Sequence, residues 1–531
     1  MPKPSRSTIS RCLFVAQTLA ATAAVVFALP AGGRAGAADE AIDVGSRREL
    51  FVGGFLVDRL GGGAKLQLHH PVPREIVLVH DAPWEGSGSG YHSVFQDGNL
   101  YRMYYKAWHL DVSKGKVNTG SHPLFCCYAE SDDGIRWRKP ELGLHEFNGS
   151  TANNITIASG TMGAITVDAG HPAVFKDENP DAPADARYKA IVRSPKPHGL
   201  HALKSPDGLH WSPMADAPVI TSGAFDSQNL AFWDPVRKEY RAYWRIFTAG
   251  VTDVKNWKPG GVRAIRTATS PDFLHWSEPV DVAYVDSPSE HLYTNQIKHY
   301  YRAPHIFIGF PTRYIERGWS PSMRALPEPE HRQWRAEASL RYGTALTEGL
   351  LMASRDGVLF HRWNDAFLRP GIEREGTWHY GHQYIGWHVV ETKSDVQGAP
   401  NELSLYASEN YWTGNSSELR RYTLRLDGFV SASAAMSGGE LVTKPLVFQG
   451  KQLQLNFSTS AAGTVRVELQ DAGGQPIPGF AEADCDEVFG DAIQRTVTWK
   501  GAPDVSSLAG KPLRLRFVLN DADVYAFQFC P

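Results

Sequence analysis

The chain has little of what several function classes require. Its formal net charge is -3, with 54 Lys and Arg set against 57 Asp and Glu. That balance supplies no cationic surplus for a nucleic-acid backbone or an anionic membrane, so neither is expected as a partner. Cysteine is scarce, five in 531 residues, and none has the short spacing of a metal site. There is no Gly-x-Ser-x-Gly elbow, no Gly-x-x-x-x-Gly-Lys phosphate loop and no His-Glu-x-x-His, so the commonest serine-hydrolase, nucleotide and zinc-protease signatures are missing. No cofactor or metal is expected. Apart from one N-terminal segment, no apolar run is long enough to cross a bilayer.

That segment has its own logic. Lys3, Arg6 and Arg11 precede an apolar run from Cys12 to Pro30, and Ala35-Gly36-Ala37 offers small residues for cleavage. Residues 1–37 therefore read as a signal peptide, and the protein as exported, periplasmic or extracellular, with no membrane span after its removal. Cys12 leaves with it. Of the rest, Cys126 and Cys127 are adjacent, so on a strand they face opposite ways, one packed and one at the rim. Cys485 and Cys530 stand as a pair that an oxidising compartment would permit to bridge.

What the chain has in quantity is aromatic residues, with Trp 15, Tyr 20 and Phe 24, and a repeated phrase. "SDDGIRW" (Ser131 to Trp137), "SPDGLHW" (Ser205 to Trp211), "SPDFLHW" (Ser270 to Trp276) and "SRDGVLFHRW" (Ser354 to Trp363) share a small residue, an Asp, a Gly or substitute, and a Trp. Asp bonds nearby backbone and Gly takes positive φ, so each phrase is a tight turn at an outer hairpin. Ahead of each copy lies a strand, a turn and an aromatic strand, clearest in "YHSVFQDGNLYRMYYKAW" (Tyr91 to Trp108). Five such units can be counted, the fifth finishing on Leu419 to Ala434 with Asp427-Gly428 in place of the Trp-bearing turn.

Strand-turn-strand repeated in this way predicts an all-β fold, a five-bladed β-propeller over residues 38–437. Two β-sandwiches would also show short strands, but they require no period. After Gly438 the phrase disappears, and alternating apolar and polar residues with close turn signals predict a small β-sandwich over 438–531. Residues 314–345, charged and Pro-bearing, interrupt the fourth unit as a cover over one face or as a solvated loop.

Inner strands of a propeller start at one mouth of its channel. With Phe175, Phe232 and Ile297 taken as equivalent, Asp168 lies seven residues before the first, Asp226 six before the second and Glu290 seven before the third. Three blades thus offer one carboxylate each at similar height. Glycoside hydrolysis needs one carboxyl to protonate the leaving oxygen and another to attack or to activate water, and a third raises the acid's pKa. Gln228, Asn229, Tyr293 and Asn295 lie beside these acids, and His92, His171 and His382 recur near inner-strand starts, as groups to hold sugar hydroxyls. Arg245, Arg302 and Arg313 offer contacts to an anionic substrate. The same groups would serve equally to tie blades together.

The unit pattern, the Ser-x-Asp-Gly hairpins and "FDSQNLAFWDPVRKEYRAYW" resemble the five-bladed propeller glycosidases of the family 32 and family 43 type, the former with a trailing sandwich. The resemblance implies an O-glycosyl hydrolase acting on an oligosaccharide or polysaccharide. It implies Asp168 as nucleophile or base, Asp226 as transition-state stabiliser and Glu290 as general acid. The departures are equally specific. The Asn-Asp-Pro opening of family 32 is replaced by "GSGSGYH", its Arg-Asp-Pro by "FDSQN" and its Glu-Cys by "SEH". Asp81 or Glu85 in "HDAPWEG" is the alternative first-blade acid, and a carbohydrate-binding propeller without turnover is the alternative function.

Overall fold

The computed structural model describes residues 41–253 and 255–531, so the expected signal peptide lies outside the described residues. Five sheets follow one another along the chain as blades of a β-propeller. Blade 1 comprises Gly90–Asp97, Leu100–Ala107, Phe125–Ser131 and Ile155–Ala158 from inside to outside. Blade 2 is built on Ile165–Lys176, Tyr188–Lys196, His198–Ser205 and Ser212–Pro213, and blade 3 on Leu230–Asp234, Glu239–Thr252, Trp257–Ser270 and Val280–Asp281. Blade 4 uses Lys298–Tyr300, Ala303–Gly309, Met352–Ser354 and Leu359–Arg362.

Blade 5 departs from the expected unit. Its first three strands are Val390–Thr392, Glu402–Glu409 and Glu418–Arg425, but its outermost strand is Val72–Val79, from the opposite end of the described chain. Val430–Ala434, expected to finish the fifth unit, instead joins a ten-stranded sheet. The change of direction occurs at Asp427, whose φ is 64° and whose buried carboxylate is held by Arg48, Tyr300, Arg302 and Asn456.

The ten-stranded sheet folds around its own core of Phe51, Phe448, Leu455, Phe457, Phe517 and Phe527. It includes Ile42–Gly45, Arg48–Leu50, Val57–Gly61 and Lys65–Leu68, so segments lying inside the expected 38–437 propeller range pair with strands near the C-terminus. Cys485 and Cys530 do not bridge: the thiol of Cys485 accepts from Val467 N at 3.2 Å and that of Cys530 donates to Gln454 Oε1 at 3.3 Å. Cys126 and Cys127 take opposite faces, yet both are fully buried, because blade 1 is covered on each side.

The repeated phrase is the turn after the third strand of blades 1 to 4. In all four copies the Ser Oγ accepts the backbone N–H three residues on at 2.8–2.9 Å. The Asp Oδ1 accepts two more N–H groups at 2.7–2.9 Å. The residue after Asp is left-handed in every copy: Gly134, Gly208, Phe273 and Gly357 have φ of 73°, 83°, 71° and 77°. Each turn docks on the preceding blade. The Tyr406 hydroxyl donates to Gly134 O, and that of Tyr243 to Gly357 O at 2.8 Å. Arg102 holds Asp207 O at 2.7 Å. Phe273, the copy without Gly, puts its own ring against Phe175 of blade 2 at 5.7 Å.

At the axis, Phe175 and Phe232 pack on Trp387 at 6.4 and 6.2 Å, and the Trp387 indole donates to Ile297 O at 2.9 Å. Two amides span the channel beside them. Gln228 of blade 3 donates to Tyr91 O of blade 1 at 3.0 Å and to Pro172 O of blade 2 at 2.9 Å. Gln296 of blade 4 donates to Gln228 Oε1 at 2.8 Å and to Ile385 O of blade 5 at 2.9 Å. Both side chains are buried. The pair staples all five blades together at the axis.

Candidate active site

The staple has two unlike sides. Beyond Gln296 lies a cavity of about 480 Å³, lined by Glu178, Lys298, His299, Tyr300, His388 and Glu391 among others. On the other side, where the inner strands begin, tyrosines pack into a buried cluster, the cup: Tyr91, Tyr293, Tyr314, Tyr380, Tyr384 and Tyr411, each no more than 8% exposed, with Trp412 at the edge. Tyr384 stacks between Tyr91 and Tyr293 at 5.9 and 5.5 Å, and the Tyr380 hydroxyl donates to that of Tyr293 at 2.7 Å. The 314–345 insertion folds into three helices, Pro321–Ala325, Pro329–Ala338 and Leu340–Thr344. It closes on the cup through Tyr342, 5.4 Å from Trp412.

Backbone strain gathers here. Tyr91, Trp378, Gln383, Asn410 and Trp412 are all left-handed, with φ between 53° and 64°. Such conformations cost about 1–3 kcal/mol each and persist only where surrounding contacts fix them. The segments carrying Tyr380, Tyr384, Tyr411 and Trp412 are largely irregular, which frees each ring from strand alternation and lets all of them turn inward.

Two of the three expected carboxylates approach this cluster, each through a neighbouring side chain. Asp168 accepts from Arg193 Nη1 at 3.0 Å and Gly170 N at 2.8 Å, and lies 3.7 Å from His171 Nδ1. Burial pushes its pKa up, but His171 and Arg193 outweigh this and hold the carboxyl well below the usual range. The His171 ring is 5.5 Å from Tyr91, and burial lowers its own pKa against the pull of Asp168. Asp226 pairs with Arg245, whose guanidinium lies 5.0 Å over the Tyr293 ring.

Glu290 does not reach the cup. It pairs with Arg362 at 3.0 Å and Arg313 at 3.4 Å. Arg313 also binds Glu348 directly across the hairpin of Thr312–Glu316 and Ala345–Gly349. On that hairpin Tyr314 faces the cup, so its neighbour Arg313, with Glu348 and Glu290, takes the opposite face. The physical reason is local: Leu292 bridges to Arg313 rather than extending the inner strand, which begins only at Lys298.

The expected binding residues divide similarly. Tyr293 is in the cup. Gln228 is the channel staple, while Asn229 satisfies Phe225 O and Ser227 O, and Asn295 accepts from Ile297 N. His92 Nε2 lies 3.1 Å from His80 Nε2, both kept neutral by burial. His382 Nδ1 accepts from Trp378 N at 3.0 Å, with its pKa lowered by burial to about 3. Arg302 is bound to Asp427 at the sandwich junction. Of the alternative acids, Asp81 pairs with Lys139 at the surface, and Glu85 is buried between Lys139 and the Tyr105 hydroxyl, at 2.6 and 2.5 Å.

Several cup residues were not legible from sequence. Lys106 is buried with its ammonium 4.8, 5.2 and 5.0 Å from the rings of Tyr91, Trp108 and Tyr411, and it donates to Tyr411 Oη at 2.8 Å. Burial lowers its pKa to about 7, against the pull of Asp168. Tyr293 is pushed up by burial, but Arg245, the Tyr380 hydroxyl, Arg263 and Arg341 bring it below the ordinary phenol value. Tyr91, Tyr380 and Tyr384 move the other way, burial raising each. The cluster thus sets a carboxyl held low at Asp168, a phenol held below its ordinary value at Tyr293 and a lysine lowered by burial at Lys106 close to one another.

No family model and no curated protein sequence matches the chain. Among solved structures, the chain is similar to the catalytic domain of the Coprinopsis cinerea GH62 α-L-arabinofuranosidase, at 8% identity and TM-score 0.39, covering 68% of this chain and 99% of that one. It is similar to the Bombyx mori GH32 β-fructofuranosidase at 9% identity and TM-score 0.36, covering 88% and 95%. An N-acetylgalactosamine deacetylase from F. plautii is similar at 12% identity and TM-score 0.39, covering 69% and 96%.

Proposed function

We propose that this protein is an exported glycoside hydrolase that binds a sugar in the tyrosine cup, with Asp168 as nucleophile or base and Asp226 as the stabiliser of positive charge at the anomeric carbon. The observation that carries this reading is that each acid meets the same tyrosine cluster through one neighbour, Asp168 through His171 to Tyr91 and Asp226 through Arg245 to Tyr293. Flat rings suit the apolar faces of a sugar, and hydroxyls such as that of Tyr384, buried without a partner, suit its polar edge.

An acid must also deliver a proton to the leaving oxygen. Glu290, the carboxyl that resemblance assigns to this step, sits behind the hairpin. Tyr293, the phenol that Arg245, Arg263 and Arg341 hold below its ordinary pKa, is the proposed proton donor, since a lowered pKa makes a phenol a better acid. The test is release of reducing sugar from a panel of plant and algal oligosaccharides. Asp168→Asn and Asp226→Asn are each expected to lower kcat/KM by roughly 10²–10⁴-fold with an unchanged circular dichroism spectrum. Wild-type turnover in both variants would overturn the assignment.

Non-catalytic carbohydrate binding is the second reading. It is favoured by one observation: each of the three expected carboxylates is already paired with an arginine. It predicts saturable binding without product.

A further inference from the structure

Arg245 and Arg263 lie on the two central strands of blade 3. In the strand register Arg245 faces Ile265 and Phe247 faces Arg263, so the two arginines are diagonal neighbours on one face of the sheet. Both guanidinium groups lean over the same two rings. Arg245 is 5.0 Å from Tyr293 and 5.6 Å from Phe247, and Arg263 is 5.4 and 5.3 Å from them. Like charges side by side on a sheet face repel. The nearest counter-charge is Asp226, bound to Arg245 and itself half exposed. Arg341 of the insertion adds a third cation beside Tyr293 and Tyr314.

Two further facts mark this cluster as unfinished. The Nε atoms of Arg245 and Arg263 are both buried without a hydrogen-bond partner, although the Arg245 side chain is only 3% exposed. A buried donor left unpaired is destabilising, and a guanidinium edge is shaped for an oxyanion. The surrounding charge also leans one way. Lys106, Arg193, Arg245, Arg263 and Arg341 outnumber Asp168, Asp226 and Glu316 around the tyrosines.

Resting on the reading of the cup as a sugar site, we infer that its substrate is an acidic sugar, whose carboxylate or sulfate is received by Arg245 and Arg263 while its ring lies against the tyrosines. A neutral sugar would leave both Nε donors unsatisfied and the two guanidinium groups in mutual repulsion. An anionic one relieves both.

Calorimetric titration of the purified full chain decides the matter, with four probes: a uronate-terminated trisaccharide, its carboxyl-reduced counterpart, a galactose-6-sulfate-terminated trisaccharide and its desulfated counterpart. One acidic probe is expected to bind roughly ten- to hundredfold more tightly than its neutral partner, with a preference that shrinks as salt is raised. Which pair shows the effect separates carboxylate from sulfate. Arg263→Gln is expected to remove most of that preference, and Arg263→Lys to restore part of it. Arg245→Gln should act in the same direction, and because Arg245 also holds Asp226, Arg263→Gln at an unchanged melting temperature is the decisive variant. Equal affinity for acidic and neutral probes, no binding of either acidic probe, or a preference that survives both arginine substitutions would overturn the inference. Arginine-dependent acidic binding without turnover would leave it standing and remove the hydrolase reading. Turnover of neutral sugars indifferent to both arginines would do the reverse.

Discussion

At the outer edge of the propeller, four turns repeat the same three backbone hydrogen bonds within about 0.2 Å of one another. At the inner mouth the blades part company. Blade 1 contributes Tyr91 and Lys106, blade 2 Asp168 and His171, blade 3 Asp226 with two arginines, and blades 4 and 5 the tyrosines of their irregular segments. The edge shows how short local chemistry can be copied to build a sheet. The mouth shows that a site arises where copying stops, and strained residues such as Tyr91 and Trp412 collect there.

Three substitutions would break or sharpen this contrast. The largest effect is expected between the two regions, at the axis: Gln228→Leu leaves Tyr91 O and Pro172 O without their buried donor and should lower stability by about 3 kcal/mol, read as a shift in the urea midpoint. Next is the edge. Asp207→Ala removes the acceptor of Leu209 N and His210 N, and should lower stability by about 1–2 kcal/mol while leaving kcat/KM unchanged for any substrate the protein turns over. A well-folded variant without turnover would mean that the turn belongs to the site. The smallest effect is expected at Glu290→Gln, which lies behind the hairpin and should leave kcat/KM close to the wild-type value. Abolished turnover there would restore the acid role that resemblance gives it and remove Tyr293 from that role.

The same contrast explains what could be read in advance. The turns were legible because Ser, Asp and Gly act on their own backbone within a few residues. They served as a ruler that located Phe175, Phe232 and Ile297, which do meet at Trp387. Counting back from the first two reached Asp168 and Asp226 at the cup. Counting back from Ile297 failed, because Gln296 is left-handed with φ of 48° and the chain before it does not extend the strand. Tyr380, Tyr384 and Tyr411 carry no period and could not be found by one. The outermost strand of blade 5 was missed because Val72–Val79 meets Glu418–Arg425 only through a pairing of very distant segments, and hydrophobic alternation marks a strand without naming its neighbour.

The amide staple at the axis has a consequence for motion. Gln228 and Gln296 tie the inner edges of all five blades together through four buried hydrogen bonds, so a blade can shift at its inner edge only by leaving one of those groups without a partner.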